Sequence, residues 1–263
     1  MRRILLSLLA LASYCCATIA LAATPAYVPI FVYHNFEPSK KGSMTISTER
    51  FEEQLQWLKT SGYTVIPLKE AVAYLQGKMA SIPAKSVVIT IDDGRDTVYR
   101  YALPIVRKYN IPVTLFIYPY IISREPYGLT WQQLKTLQQT GLFDIQDHTY
   151  SHPNFKQEKK RLSPTAYEKF VNRELAGSKK MLETKMGSPV NLLAWPFGIY
   201  NHEIEQAAAK AGYTMAFSID YRCATKSDNA MAVPRYMILQ TQTMNLFKMM
   251  AQCRMQPKHH TAT

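Results

Sequence analysis

Two kinds of apolar pattern alternate along this chain. Short runs in which nearly every residue is apolar predict buried strands at 28–33, 63–68, 86–91, 113–118, 143–146, 191–195, 215–219 and 233–239. Between them lie stretches whose apolar positions recur every three or four residues. Phe51, Leu55 and Leu58 follow this spacing in a helix expected over 49–60 and stopped at Gly62; further helices are expected at 68–76, 101–109, 201–210 and 244–253. Thr130 with Gln133 forms a capping-box pattern that opens a helix ending at Gly141. Ser163-Pro164 pairs an N-cap residue with proline in the first turn, and its helix is expected to reach Met186. Seven or eight strands separated by helices predict an α/β fold with mainly parallel strands, most simply closed as a β/α barrel. No internal repeat, low-complexity tract or linker divides it, so residues 23–256 are expected to form a single domain, followed by a polar, disordered tail at 257–263.

The N-terminus breaks this rhythm. Arg2 and Arg3 precede an apolar run over 4–21, and Ala20-Leu21-Ala22 supplies small residues for cleavage after Ala22. Residues 1–22 therefore read as an export signal, placing the mature protein in the periplasm or outside the cell. The run is nearly long enough to span a bilayer, so an uncleaved anchor is the alternative; after cleavage no stable membrane insertion is expected. Cys15 and Cys16 would leave with the signal. Cys223 and Cys253 remain, and in an oxidising compartment they either bridge or stay as two buried thiols. Loss of Arg2 and Arg3 lowers the formal charge from +12 to +10. A basic surface favours polyanions, including acidic cell-wall polymers. Export and the lack of a basic helix argue against nucleic acid as the partner. At 47 % hydrophobic residues the chain is not disordered, and its 17 Tyr and 3 Trp suit either sugar contacts or core packing.

In β/α barrels the loops at the C-terminal ends of the strands converge on one mouth, and chemistry collects there. The segment VVITIDDGRD (87–96) ends a strand with Asp92, Asp93 and Gly94. Adjacent side chains leave a strand end in different directions, so one carboxylate can hold a cation while the other handles protons; Asp-Asp-Gly is also ordinary turn chemistry. DHTYSHP (147–153) sets His148 and His152 four residues apart after another strand. Two histidines and a carboxylate can hold a divalent ion and leave positions open for water and substrate.

Together these segments carry a resemblance. Thr90-Ile91-Asp92-Asp93-Gly94 resembles the Thr-Phe-Asp-Asp-Gly motif of the polysaccharide deacetylases, the family-four carbohydrate esterases. His148-Thr149-Tyr150-Ser151-His152 is similar to their His-Ser/Thr-x-x-His motif, and Trp195-Pro196-Phe197-Gly198 to their third motif. The resemblance implies a distorted β/α barrel that removes N-acetyl groups from sugar polymers with a divalent ion, zinc first and cobalt or nickel as alternatives. Carried over, Asp93, His148 and His152 would hold the metal, Asp92 would be the general base, and the backbone N–H of Phe197 would steady the oxyanion. The family's arginine before the third-motif proline is replaced by Ala194-Trp195, and its final Leu-x-His is absent. Arg235 is the candidate to keep Asp92 ionised, with a surface arginine as the alternative. Tyr33-His34-Asn35 resembles the N-terminal motif of the exported poly-N-acetylglucosamine deacetylases of biofilm formation, which would make His34 the general acid. His202 suits a helix start. The expected partner is an acetylated polysaccharide. An O-acetyl esterase, and a polysaccharide-binding protein that has lost turnover, are the rival functions.

Overall fold

The computed structural model describes residues 27–39 and 42–255. The export signal expected at 1–22, with Cys15 and Cys16, and the tail at 257–263, with His259 and His260, lie outside the described residues.

The chain runs β1 (Ile30–Tyr33), β2 (Asn35–Glu37), β3 (Thr45–Ser47), α1 (Thr48–Thr60), β4 (Thr64–Val65), α2 (Leu68–Leu75), β5 (Ser86–Ile91), α3 (Leu103–Tyr109), β6 (Val113–Ile117), α4 (Trp131–Gln139) and β7 (Phe143–Asp147). Then follow α5 (Phe155–Arg161), α6 (Pro164–Asn172), α7 (Ser178–Met186), β8 (Leu192–Ala194), α8 (His202–Lys210), β9 (Met215–Phe217), β10 (Tyr236–Met237) and α9 (Met244–Ala251). One parallel sheet has the order β10-β1-β5-β6-β7-β8-β9. The edge of β5 is shared: β4 pairs with Ser86 and Val87, and β6 with Thr90 and Ile91. The sheet curls until Phe217 meets Val233, three residues before β10, in a single parallel bridge. The mainly parallel strands are those expected from the alternation, and the incomplete closure is the distorted barrel implied by the resemblance.

Strand residues alternate between the barrel interior and the surrounding helices. Ile30, Val88, Phe116, Leu192, Ala194 and Phe217 meet inside, while Phe31, Ile89, Ile91, Leu115, Ile145 and Leu193 pack with the helices in the larger core. Because both faces are covered, every residue of β5 and β6 is buried, which is why those strands read as continuous apolar runs. Helix starts follow the polar signals. Ser47, Thr130, Asn154, Ser163, Asn201 and Thr243 each cap with a side-chain oxygen, and the Thr130–Gln133 capping box is complete.

Several boundaries differ from the apolar pattern. The late strand expected over 233–239 shrinks to β10, because Val233 is held by its lone bridge and Pro234 lacks an N–H for a ladder. The helix from Ser163 to Met186 runs through a π turn at Arg173–Gly177. Another π turn, Val98–Ala102, precedes α3. The pattern misses the β2–β3 pair and α5, whose polar sequences carry little periodicity. Cys223 and Cys253 form a disulfide with Cα atoms 5.7 Å apart, tying the end of α9 to the segment where Ala224 pairs with Val28. Closing a loop of this length stabilises a fold by roughly 3–4 kcal/mol in the chain-entropy model. Among the described residues no helix is long and apolar enough to cross a membrane.

Candidate functional site

The interior parity of Val88 and Thr90 continues to Asp92, so its carboxylate rises inside the barrel at the C-terminal end of β5. It is 2 % exposed. Arg235, fully buried, donates to Asp92 Oδ1 from Nη1 at 2.8 Å and to Oδ2 from Nη2 at 2.7 Å. Nη1 also donates to Thr90 Oγ1, and Nε to the Ser218 carbonyl. Burial alone would raise the Asp92 pKa, but the Arg235 charge and its paired hydrogen bonds outweigh it and hold the carboxyl below its usual range. The position taken by arginine in the resembled motif is filled by Ala194, whose carbonyl serves His148, and by Trp195, whose Nε1 donates to the Met231 carbonyl.

Asp93 leaves the strand differently. Its φ is 79°, so the chain turns and Oδ1 comes 3.8 Å from His148 Nε2 and 3.7 Å from His152 Nε2. Gly94 follows at φ 81°, where an added Cβ would lie 2.8 Å from Ile117 Cγ2, so this turn admits little but glycine. His148 Nδ1 is 2.7 Å from the Ala194 carbonyl. A carbonyl only accepts, so Nδ1 carries a hydrogen, and in the neutral ring the lone pair is then on Nε2, on the side of Asp93. Burial and neighbouring His148 push the His152 imidazole down to about 4, which keeps it in the neutral form that ligates metals.

One ligand atom from each of Asp93, His148 and His152 lies within 4.8 Å of the others. Donors about 2.1 Å from a common ion stand roughly 3.0–3.4 Å apart. With Asp93 Oδ1 3.7–3.8 Å from both imidazole Nε2 atoms and all three atoms within 4.8 Å, a modest contraction would bring this carboxylate and two imidazoles, one of them oriented by a carbonyl, around a divalent cation.

His34 sits between β1 and β2 and lines the same cleft, of about 520 Å³, as Asp92. Its buried Nδ1 has no hydrogen-bond partner among the described residues. Burial lowers its pKa, opposed by the charges of Asp92 and Asp93. Phe197, 57 % exposed, has φ 56°, and its ring packs against His152 at 4.6 Å. The turn around it is closed from Gly198 N to Trp195 O and from Ile199 N to Pro196 O, which leaves the Phe197 N–H unused by these bonds. His202 lies elsewhere, as the first residue of α8 behind its Asn201 cap.

Seven non-glycine residues among those described have positive φ, and Asp93, Thr149, His152 and Phe197 are four of them. Each such conformation costs about 1–3 kcal/mol and concentrates at functional sites. Sequence reading did not reach Tyr118 and Arg95, which also line the cleft; Tyr118 stacks near His152 and Arg95 Nε stands 3.6 Å from Asp93 Oδ2. Their position at or just after the ends of β6 and β5 was the available signal.

The family model described as polysaccharide deacetylase matches residues 80–216, a span that holds Asp92, Asp93, His148, His152 and Phe197. The chain belongs to the polysaccharide deacetylase family. Within it, the YxkH protein of Bacillus subtilis (strain 168) is 32 % identical over 212 residues, covering 80 % of this chain and 71 % of that protein. A Staphylococcus aureus (strain MRSA252) protein named poly-beta-1,6-N-acetyl-D-glucosamine N-deacetylase is 29 % identical over 212 residues, 79 % of this chain and 72 % of its own. The Streptococcus pyogenes deacetylase PplD, solved in complex with acetate, superposes with a TM-score of 0.76 at 26 % identity, covering 87 % of this chain and 99 % of that one. His34 and Arg235 fall outside the matched span, so in this deacetylase one residue before it lines the cleft and one after it clamps Asp92 from behind.

Proposed function

We propose that this deacetylase removes N-acetyl groups from an N-acetylglucosamine polymer, with poly-N-acetylglucosamine as the substrate, and that it works with a divalent cation outside the cytoplasm. The observation that carries the reading is an ionised, arginine-clamped carboxylate, Asp92, directly beside the Asp93, His148 and His152 donor set. The name of the Staphylococcus aureus relative supports the choice of polymer. The export signal read at 1–22 supports a periplasmic or secreted location, as an enzyme of exported or biofilm polysaccharide needs.

Asp93, His148 and His152 would hold the cation, zinc by its preference for imidazole and carboxylate, or cobalt or nickel. When bound, it would polarise the acetyl carbonyl and make water a nucleophile near neutral pH. Asp92 takes a proton from that water as its oxygen adds to the acetyl carbon. Arg235 keeps Asp92 ionised and fixed on both oxygens. The Phe197 N–H donates to the oxygen that becomes negative in the tetrahedral state. The C–N bond then breaks, and His34 delivers a proton to the departing amine, which is a poor leaving group without one. Burial holds His34 neutral at rest, so its proton arrives during turnover, and the proton gained by Asp92 across the same cleft is the balanced source. The products are acetate and a free amine on the sugar.

The test is acetate release from poly-N-acetylglucosamine, chitin oligomers and peptidoglycan, each with zinc, cobalt or nickel after chelation. Fastest release from the first polymer, dependent on added metal, is the expected result. Release confined to O-acetylated polymer, or undiminished after chelation, would overturn it.

A further inference from the structure

The loop carrying both histidines is gripped by one residue far away in sequence. Glu174, fully buried, lies in the π turn between α6 and α7. Its backbone carbonyl accepts from Tyr150 N at 3.0 Å. Its Oε2 accepts from Ser151 N at 2.8 Å, and its Oε1 from Ser151 Oγ at 3.0 Å. Two consecutive loop residues are thus held by three bonds to a single partner. They are bracketed by Thr149 at φ 65° and His152 at φ 56°, both in the left-handed region, where a β-branched residue such as Thr149 is an outlier. A backbone so placed persists only where its surroundings over-determine it.

The π turn makes the grip possible. It brings Glu174 and Leu175 into the interior together, and Ser178 just beyond it donates from Oγ to Asp147 Oδ1 at 2.8 Å, behind His148. Arg173, more than half exposed, supplies the counter-charge with Nη2 2.8 Å from Glu174 Oε1, so the buried carboxylate is paired as well as hydrogen-bonded. The carboxylate acceptors face the loop, where a glutamine would have to turn its NH₂ toward a donor.

We infer that Glu174 is a positioning residue: it holds the strained loop 149–152 so that His148 and His152 aim their Nε2 atoms at one point beside Asp93. The inference rests on the reading that these histidines hold a cation. Residues that orient ligating side chains typically govern metal affinity or activity by 10- to 100-fold when removed.

The experiment uses the purified full chain as wild type, Glu174→Ala, Glu174→Gln and His148→Ala. Zinc affinity is measured by chelator competition, amide exchange is followed over 148–152 and over β6, and kcat and KM are measured on an N-acetylglucosamine oligomer at saturating zinc. Glu174→Ala should weaken zinc about 10- to 100-fold. It should speed exchange at 149–152 with β6 still protected, and lower kcat with KM little changed. Glu174→Gln, which keeps one acceptor oxygen, should fall between it and wild type. Wild-type zinc affinity and loop protection in both folded Glu174 variants would overturn the inference, as would a lower melting temperature with no change in zinc affinity. If Glu174→Ala does not fold, Glu174→Gln decides by the same criteria. Should wild type bind zinc no better than His148→Ala, the metal reading falls and takes this one with it; tight wild-type binding, lost in His148→Ala and intact in the Glu174 variants, removes only the anchoring role.

Discussion

Asp92 and Asp93 are neighbours in sequence and opposites in the fold. Asp92 continues the interior parity of β5, is 2 % exposed, and has both oxygens occupied by Arg235. Asp93 turns out of the strand at φ 79°, keeps an oxygen facing two histidine nitrogens, and meets Arg235 nowhere. One carboxylate is fixed in charge by a buried guanidinium; the other sets one oxygen toward two imidazole nitrogens and the other toward Arg95. The lesson is that a strand end can give two adjacent carboxylates opposite surroundings with one peptide unit, because the side-chain direction reverses while the distance stays short.

The sharpest way to break this comparison is to neutralise each carboxylate in turn. Asp92→Asn should retain metal and lose activity by about 100- to 10,000-fold, the share of a general base. Asp93→Asn tolerates the positive φ and should lose most of its metal instead. Metal analysis of both purified proteins, beside acetate release, gives the outcome. Equal metal loss, or full activity in Asp92→Asn, would erase the distinction.

His34 sharpens the comparison from the leaving-group side. Removal of an acid should cost about 100- to 10,000-fold on N-acetylglucosamine oligomers, whose amine must be protonated to leave. An aryl acetate expels a phenolate without help. His34→Ala should therefore keep much of its aryl-acetate activity, while Asp92→Asn loses both. A fall by one common factor on the two substrates, with metal and fold intact, would deny His34 that role.

The fold was legible where burial was two-sided. Continuous apolar runs marked β5 and β6 to within a residue, and polar caps marked helix starts, because those signals are local. The β2–β3 pair was not legible: Asn35 and Thr45 pair through side chains ten residues apart, and neither segment has a pattern of its own. In the site, Asp92, Asp93, His148 and His152 could be singled out because they stand next to strand ends. Arg235 was reachable only through an electrostatic requirement, since Asp92 needs a cation that Ala194-Trp195 does not provide. Glu174 gave no signal at all. Its contact with Ser151 spans 23 residues and depends on a π turn that helix periodicity does not record.

A smaller effect tests the closed half of the comparison. Removing one partner of a buried ion pair costs about 3–5 kcal/mol, so Arg235→Met should lower the urea midpoint strongly at pH 7. The sign with pH follows from the two pKa directions. In wild type the folded Asp92 pKa lies below its unfolded value, so its stabilisation is present above the unfolded pKa and is lost as pH falls through the folded one. Without Arg235, burial dominates and the folded pKa rises above the unfolded value, so the Asp92 contribution is fully present below the unfolded pKa and is lost as pH rises through the folded one. The gap between the two proteins should widen from about pH 3 to pH 7. A constant gap would mean that Arg235 acts by packing alone, and Asp92→Asn combined with Arg235→Met should not then recover stability.

The smallest effect concerns Phe197, which stands over the open half. If its backbone N–H does the work, the exposed ring is dispensable and only the left-handed conformation constrains the residue. Glycine takes φ 56° without strain, whereas alanine pays about 1–2 kcal/mol there. Phe197→Gly should then keep activity on the polymer within about tenfold, far short of the 100- to 1,000-fold attached to loss of an oxyanion donor. Phe197→Ala should be similar in activity and no more stable than Phe197→Gly in thermal unfolding. If both variants instead lose more than about 100-fold through KM, the ring that packs on His152 would be a sugar contact. The third motif would then serve binding rather than the tetrahedral state.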